Sequence, residues 1–139
     1  MPTSEGKIQL FIPGIPQPKG SIRAFMPKGR GFPILTSDNP KAKKWEDEIR
    51  RAIRSEEYLT GPIVINLKFC MPIPKSTSKK RRLTLNWQVK KPDIDKLARA
   101  ILDALTGTIY KDDSQVAKLT AEKIYGDSPG VFIGIDSLV

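Results

Sequence analysis

Histidine is absent from this 139-residue chain, and cysteine occurs once. These two shortages remove Ser-His-Asp and Cys-His triads, His-ligated zinc, CxxC redox pairs and any internal disulfide. Catalysis, if the chain performs it, is left to carboxylates, amines, hydroxyls or a metal held by oxygen. No apolar run approaches the roughly 18 residues of a membrane span. The start MPTSEGKIQL lacks a basic stretch followed by an apolar one, so neither membrane insertion nor export is expected. With a single cysteine, a reducing cytoplasm is the expected compartment. Negative charge is also scarce, with 15 Asp and Glu against 24 Lys and Arg, a formal net charge of +9. In a chain with no membrane-type amphipathic helix, that surplus points to a polyanion partner, nucleic acid first, with an unspecialised basic surface as the plain alternative.

What is present reads as one globular domain over residues 1–139, with 39% hydrophobic and 28% charged residues. Lys7 to Ile12 reads as a strand stopped by Pro13, Pro16 and Pro18. Lys19 to Thr36 carries Lys19, Arg23, Lys28 and Arg30, several Gly and Pro and no acid, so a mobile cationic loop is expected. Ser37-Asp38-Asn39-Pro40 is a helix-start signal. Ala42, Trp45, Ile49, Ala52 and Ile53 then recur at helical spacing as one apolar stripe. Ile63, Ile65, Leu67 and Phe69 alternate as in a strand. From Lys75 to Lys91 there are seven cations in seventeen residues and no acid. A second helix opens near Pro92-Asp93, carries Leu97, Ala98, Ile101, Leu102 and Leu105, and ends at Gly107. Strands follow over Gln115 to Tyr125 and Val131 to Ile135. The order predicts an α+β fold, a small mixed β-sheet with two main helices packed on one face.

Five of the fifteen acids fall between Asp93 and Asp113, directly after the most basic run. Asp93 and Asp95 flank a helix entrance, where free N–H groups favour negative charge; a cap and a first-turn acid would account for them as well as a catalytic pair would. A helix of about three turns and a short return would bring Asp113 back beside them, whereas Asp112 and Asp113 alone read as turn residues. Three converging carboxylates call for a cation. Mg²⁺ suits oxygen ligands and substrate phosphate, and it would activate water for phosphodiester hydrolysis. Arg99, four residues after Asp95, reads equally as a phosphate contact or as an intrahelical ion pair with Asp95. Asp103 reads as a solvated or salt-bridged residue rather than a metal ligand. The acid-free segments, with Lys19, Arg23, Lys79, Lys80, Arg81, Arg82 and Lys91, read as a DNA-binding surface.

Lys91-Pro92-Asp93-Ile94-Asp95, Ile101-Leu102-Asp103-Ala104-Leu105-Thr106-Gly107 and Tyr110-Lys111-Asp112-Asp113-Ser114-Gln115-Val116 resemble the RusA family of Holliday junction resolvases, found in bacteria and often in phages and prophages. Pro13 to Gly20 with Arg23 resembles that family's N-terminal segment. The resemblance implies a homodimeric, Mg²⁺-dependent endonuclease that nicks opposed strands of four-way DNA junctions in recombination and repair, with no nucleotide cofactor. It implies an acidic triad at Asp93, Asp95 and Asp113. Where the family has a catalytic lysine this chain has Arg99, and Lys96 stands where many relatives have Asn, adding a cation beside the phosphate. Nucleases for flaps or forks, and a non-catalytic basic DNA-binding protein, are the alternatives this reading leaves.

Overall fold

Alternation along the chain fixes one wet and one dry face of a sheet. In the computed structural model, which describes residues 7–20, 22–25, 28–29, 31, 34–37, 39–53, 55 and 57–139 and, within 22–25 and 34–37, the backbone alone, the central strand β4 (Ile63–Pro72) buries Ile63, Ile65, Leu67 and Phe69 and exposes Asn66 and Lys68. It pairs in parallel with β5 (Val116–Gly126) and antiparallel with β6 (Gly130–Ser137). The first strand, β1 (Ile8–Pro13), pairs antiparallel with β6, giving the order β1-β6-β4-β5. Val131, Ile133 and Ile135 of β6 join the dry side. Phe132 points the other way and meets Phe11, with ring centroids 4.6 Å apart.

Two amphipathic helices cover the dry face, as the stripes predict: α1 (Lys41–Ala52) buries Ala42, Trp45 and Ile49, and α3 (Ile94–Leu105) buries Leu97, Ala98, Ile101, Ala104 and Leu105. The fold is therefore α+β. Arg50 of α1 locks the pair, its guanidinium donating to the carbonyls of Ala104 (3.1 Å) and Asp103 (3.0 Å) in the last turn of α3, where backbone acceptors lack helical partners. Gly107, at φ 80°, turns the chain out of α3 in the left-handed region that favours glycine. Fully buried Tyr110 then donates its hydroxyl back to the Leu102 carbonyl at 2.9 Å. Among the described residues no helix is long and apolar enough to cross a membrane.

Two local expectations are corrected, and the basic run shows structure for which the sequence set no expectation. The segment expected as a loop contains an antiparallel pair, β2 (Ile22–Phe25) and β3 (Ile34–Ser37), with Ile22 opposite Ser37 and Phe25 opposite Ile34. Its apolar and β-branched residues suffice for two short strands, and Gly29, at φ 87°, belongs to the connection between them. The helix-start signal before α1 forms no side-chain cap among the described residues: Pro40 is the N-cap residue, the Asn39 amide donates to the Pro18 carbonyl at 2.9 Å, and Asp38 lies outside the described residues. Within the basic run lies a short helix, α2 (Lys79–Arg82), capped by Ser78, whose hydroxyl accepts from the Arg81 N–H at 3.1 Å. Beyond α2, Trp87 bridges to Ile124, and backbone bonds join Gln88 to Lys123 (3.1 Å) and Tyr125 to Asn86 (2.8 Å). This segment covers part of the edge that β5 would otherwise expose.

Candidate active site

Asp93 is the N-cap residue of α3, in extended backbone at φ −69° and ψ 143°, yet its side chain makes no capping hydrogen bond. Asp95 lies in the first turn, and both residues are exposed. Neither carboxylate has a hydrogen-bond or ion-pair partner among the described residues. The reading of Asp93 as a side-chain cap is thereby corrected. So is the pairing of Asp95 with Arg99: the guanidinium turns toward the C-terminal end of α3 and meets Asp103 one turn on (3.2 Å) and Asp113 across the return (3.1 Å). A planar fork that engages two carboxylates at once is better satisfied there than by one exposed partner.

Asp113 reaches α3 because the chain returns through a single 3₁₀ turn, Asp113–Gln115, that opens β5. Asp112 caps this turn: its carboxylate accepts from the Ser114 N–H at 3.0 Å while the Gln115 side-chain oxygen accepts from the Asp112 N–H at 3.4 Å. That backbone hydrogen bond from Ser114 is the first cause holding the Asp112 carboxyl below its ordinary range. Two adjacent aspartates thus divide the work, Asp112 folding the turn and Asp113 facing Arg99.

Behind Arg99 runs a chain of alternating charge. Asp103 accepts from Arg99 on one oxygen and from Lys19 on the other (3.1 Å), and Lys19 continues to the nearly buried Glu46 of α1 (2.9 Å). The hydrogen bond to Glu46 pushes the Lys19 ammonium above its usual value. Lys19 was expected on the DNA surface; the structure has its charge shared between two acids, with its side chain 39% exposed. Asp103 is salt-bridged, as expected. Its linking role and that of Glu46 left no local signal, because they depend on the N-terminal segment, α1 and α3 meeting.

Two further tethers set the entrance of α3. The Lys19 N–H donates to the Lys96 carbonyl at 2.9 Å. The Lys123 ammonium, on β5, donates to the carbonyls of Lys90 (2.8 Å) and Pro92 (2.7 Å), fixing the backbone that delivers Asp93. Lys123 is a site-positioning residue that sequence reading missed, since alternation alone marked it as a strand residue.

Asp93, Lys91 and Lys96 line one side of an open cleft of about 610 Å³ whose other walls come from the proline segment Ile15 to Pro18, from Met71, Pro72 and Pro74 of β4 and its exit, and from Gln88 and Tyr125. The structure thus joins Lys91 and Lys96 to the first acid. Lys79, Lys80, Arg81 and Arg82 do not line this cleft; they stand exposed on α2, with no acidic partner among the described residues. The side chain of Arg23 lies outside the described residues. Among the described residues no three acidic or thiol side chains are grouped closely enough to hold a metal ion; Asp113 is engaged by Arg99 while Asp93 and Asp95 stand free. Cys70, the one cysteine, is buried, and burial pushes its thiol up, away from reactivity.

A family model described as Endodeoxyribonuclease RusA matches residues 13–136. The chain is also similar to the uncharacterized protein YqaN of Bacillus subtilis (strain 168), 33% identical over 128 residues, a span of 86% of this chain and 85% of that protein.

Proposed function

Because the chain belongs to the RusA family of endodeoxyribonucleases, we propose that it is a Mg²⁺-dependent, structure-selective nuclease that resolves four-way DNA junctions by paired nicks in opposed strands, in DNA recombination and repair. The observation that carries this reading is the pair of carboxylates, Asp93 and Asp95, unpartnered among the described residues, at the entrance of α3, beside a cleft edged by Lys91 and Lys96. Acids left unpaired on a surface of net charge +9 forgo many available cations, which suits residues kept for a ligand.

The donor set fits Mg²⁺, a hard cation that takes carboxylate oxygens, usually keeps several waters and is often bound through one or two carboxylates plus substrate phosphate. Asp93 and Asp95 would hold it, and Asp113 would join them only where the cation displaces Arg99 from its carboxylate. When bound, Mg²⁺ supplies a more acidic water and neutralises charge on the phosphoryl group. Arg99 would serve by stabilising negative charge at phosphate and, without the cation, by holding Asp113. Lys91 and Lys96 fix the DNA backbone beside the acids. Opposed cuts in a two-fold symmetric junction call for two such sites related by a matching axis, hence a homodimer.

The test is cleavage of a labelled four-way junction by Asp93→Asn, Asp95→Asn and Asp113→Asn proteins in Mg²⁺. Each is expected to cut at least a hundredfold more slowly than the parent, while junction affinity holds or rises because negative charge has been removed near phosphate. Sedimentation of the parent protein should give two chains per particle. Cutting at the parental rate by these variants overturns the assignment.

A further inference from the structure

We infer that the cleft beside Asp93 is a subsite for one unstacked nucleobase of the DNA, read through an N–H donor by the side-chain oxygen of Gln88. The inference deepens the nuclease reading and rests on it for the identity of the ligand. Gln88 is 9% exposed. Its backbone N–H is tied to the Lys123 carbonyl (3.1 Å) and its side-chain amide N–H to the Lys91 carbonyl (3.2 Å), yet its side-chain oxygen is buried without a hydrogen-bond partner among the described residues. The donor end is thus fixed, while the acceptor end, buried in the cleft wall, has no protein partner among the described residues. A buried unsatisfied acceptor is destabilising, and where a native fold retains one in a cleft wall, a ligand donor is its natural partner.

The rest of the cleft describes that ligand. Its volume of about 610 Å³ lies within the usual range for small-ligand sites. The walls are largely apolar, with Pro16, Pro18, Pro92, Met71 and the Tyr125 ring, which suits a flat uncharged heterocycle. Lys90, Lys91 and Lys96 also line it, offering cations to a phosphate attached to that ring, and Asp93 is the one acid among the described lining residues. An uncharged ring bearing an N–H donor and carrying phosphate is a nucleotide unit. A base at a branch point has already lost part of its stacking, so drawing it into the cleft costs less than extruding one from a continuous duplex.

The experiment measures binding in EDTA, where no cutting occurs, of four-way junctions that carry adenine, purine (adenine without its amino group) or an abasic site at one position at a time within two nucleotides of the branch. At one position, the parent protein should bind the adenine junction about tenfold more tightly than the purine or abasic junction. Gln88→Leu should bind adenine and purine junctions alike. Gln88→Glu, which loses the same donor but keeps an acceptor oxygen, should retain the adenine preference, and this separates the acceptor's role from a loss of folding. Equal affinities at every position for the parent, or an adenine preference that survives in Gln88→Leu, overturns the subsite. Cleavage of the same junctions in Mg²⁺ tests the nuclease separately: cutting without base preference sinks the subsite alone, and base preference in EDTA without cutting in Mg²⁺ sinks the nuclease alone.

Discussion

Asp103 holds two cations on separate oxygens, Arg99 at 3.2 Å and Lys19 at 3.1 Å, and so sets where the Arg99 guanidinium rests relative to Asp113. Its own side chain is 21% exposed, and Glu46 at the far end of the chain is nearly buried. Replacing Asp103 with Asn removes the charge that draws Arg99 away from Asp113, so Asp113 is gripped harder and, if the proposed Mg²⁺ site is right, more Mg²⁺ would be needed to displace the guanidinium. Asp103→Asn is expected to lose about 1 kcal/mol of stability, to cut the junction about tenfold more slowly at limiting Mg²⁺ and to recover at high Mg²⁺. A Mg²⁺ dependence identical to that of the parent would show that Asp103 serves the fold alone. The split between Asp112 and Asp113 belongs at this scale too. Nothing in an Asp-Asp pair says which one caps; the register of one 3₁₀ turn decides it, because only Asp112 stands where its carboxylate meets the Ser114 N–H.

Among the elements, α2 concentrates charge with least restraint. Its four residues are all basic and exposed, with no acidic partner among the described residues, and the helix hangs on one side-chain cap. Replacing Lys79, Lys80, Arg81 and Arg82 together with Gln is expected to weaken junction binding and to flatten the slope of log affinity against log salt by up to about 3.6, if all four meet phosphate. Titrations at two salt concentrations check it, and unchanged affinity at both removes α2 from the DNA surface. The main helices and β4 were legible in the chain because apolar residues recur there at clear periods of 3.6 and 2. The β2/β3 pair was not, because Gly and Pro near its turn dominate the composition of the whole segment. Nor was the pairing of Asn86 to Gln88 with β5, which depends on an edge that exists only once the sheet has formed.

For the whole molecule, the alkaline limit of stability depends on where chain segments cross. Burial pushes the Tyr110 phenol up to about 12, where it donates to the Leu102 carbonyl at the turn that brings Asp113 back to α3. A folded-state value above the unfolded value of about 10 means that this stabilisation is complete below pH 10 and is lost as pH rises toward 12, on the order of 2 kcal/mol. Lys19, raised by its bond to Glu46, loses its contribution on the alkaline side as well. Thermal melts from pH 8 to 12 should therefore show a fall in Tm concentrated above pH 10. Tyr110→Phe should melt lower at pH 8 and fall less steeply above pH 10; an equally steep fall would assign the alkaline loss elsewhere.

The sequence by itself determined the chemistry open to this protein and the class of its fold. A chain without histidine and with one cysteine leaves chemistry to carboxylates, amines, hydroxyls or a metal held by oxygen, and residue type is a property of sequence alone. Periodicity likewise reports local geometry, so helices and strands with one buried face could be read directly. The tertiary structure decided which of those residues meet. Arg99 holds Asp113 and Asp103 rather than Asp95, Lys19 is shared between α1 and α3, Lys123 fixes the entrance of α3, and the cleft wall that Asp93 lines also holds Gln88, whose buried oxygen has no partner among the described residues. The contacts of Lys19, of Lys123 and of Arg99 with Asp113 join distant segments, the choice of Asp103 over Asp95 is between partners equally close in the chain, and only packing of the helices on the sheet sets those distances.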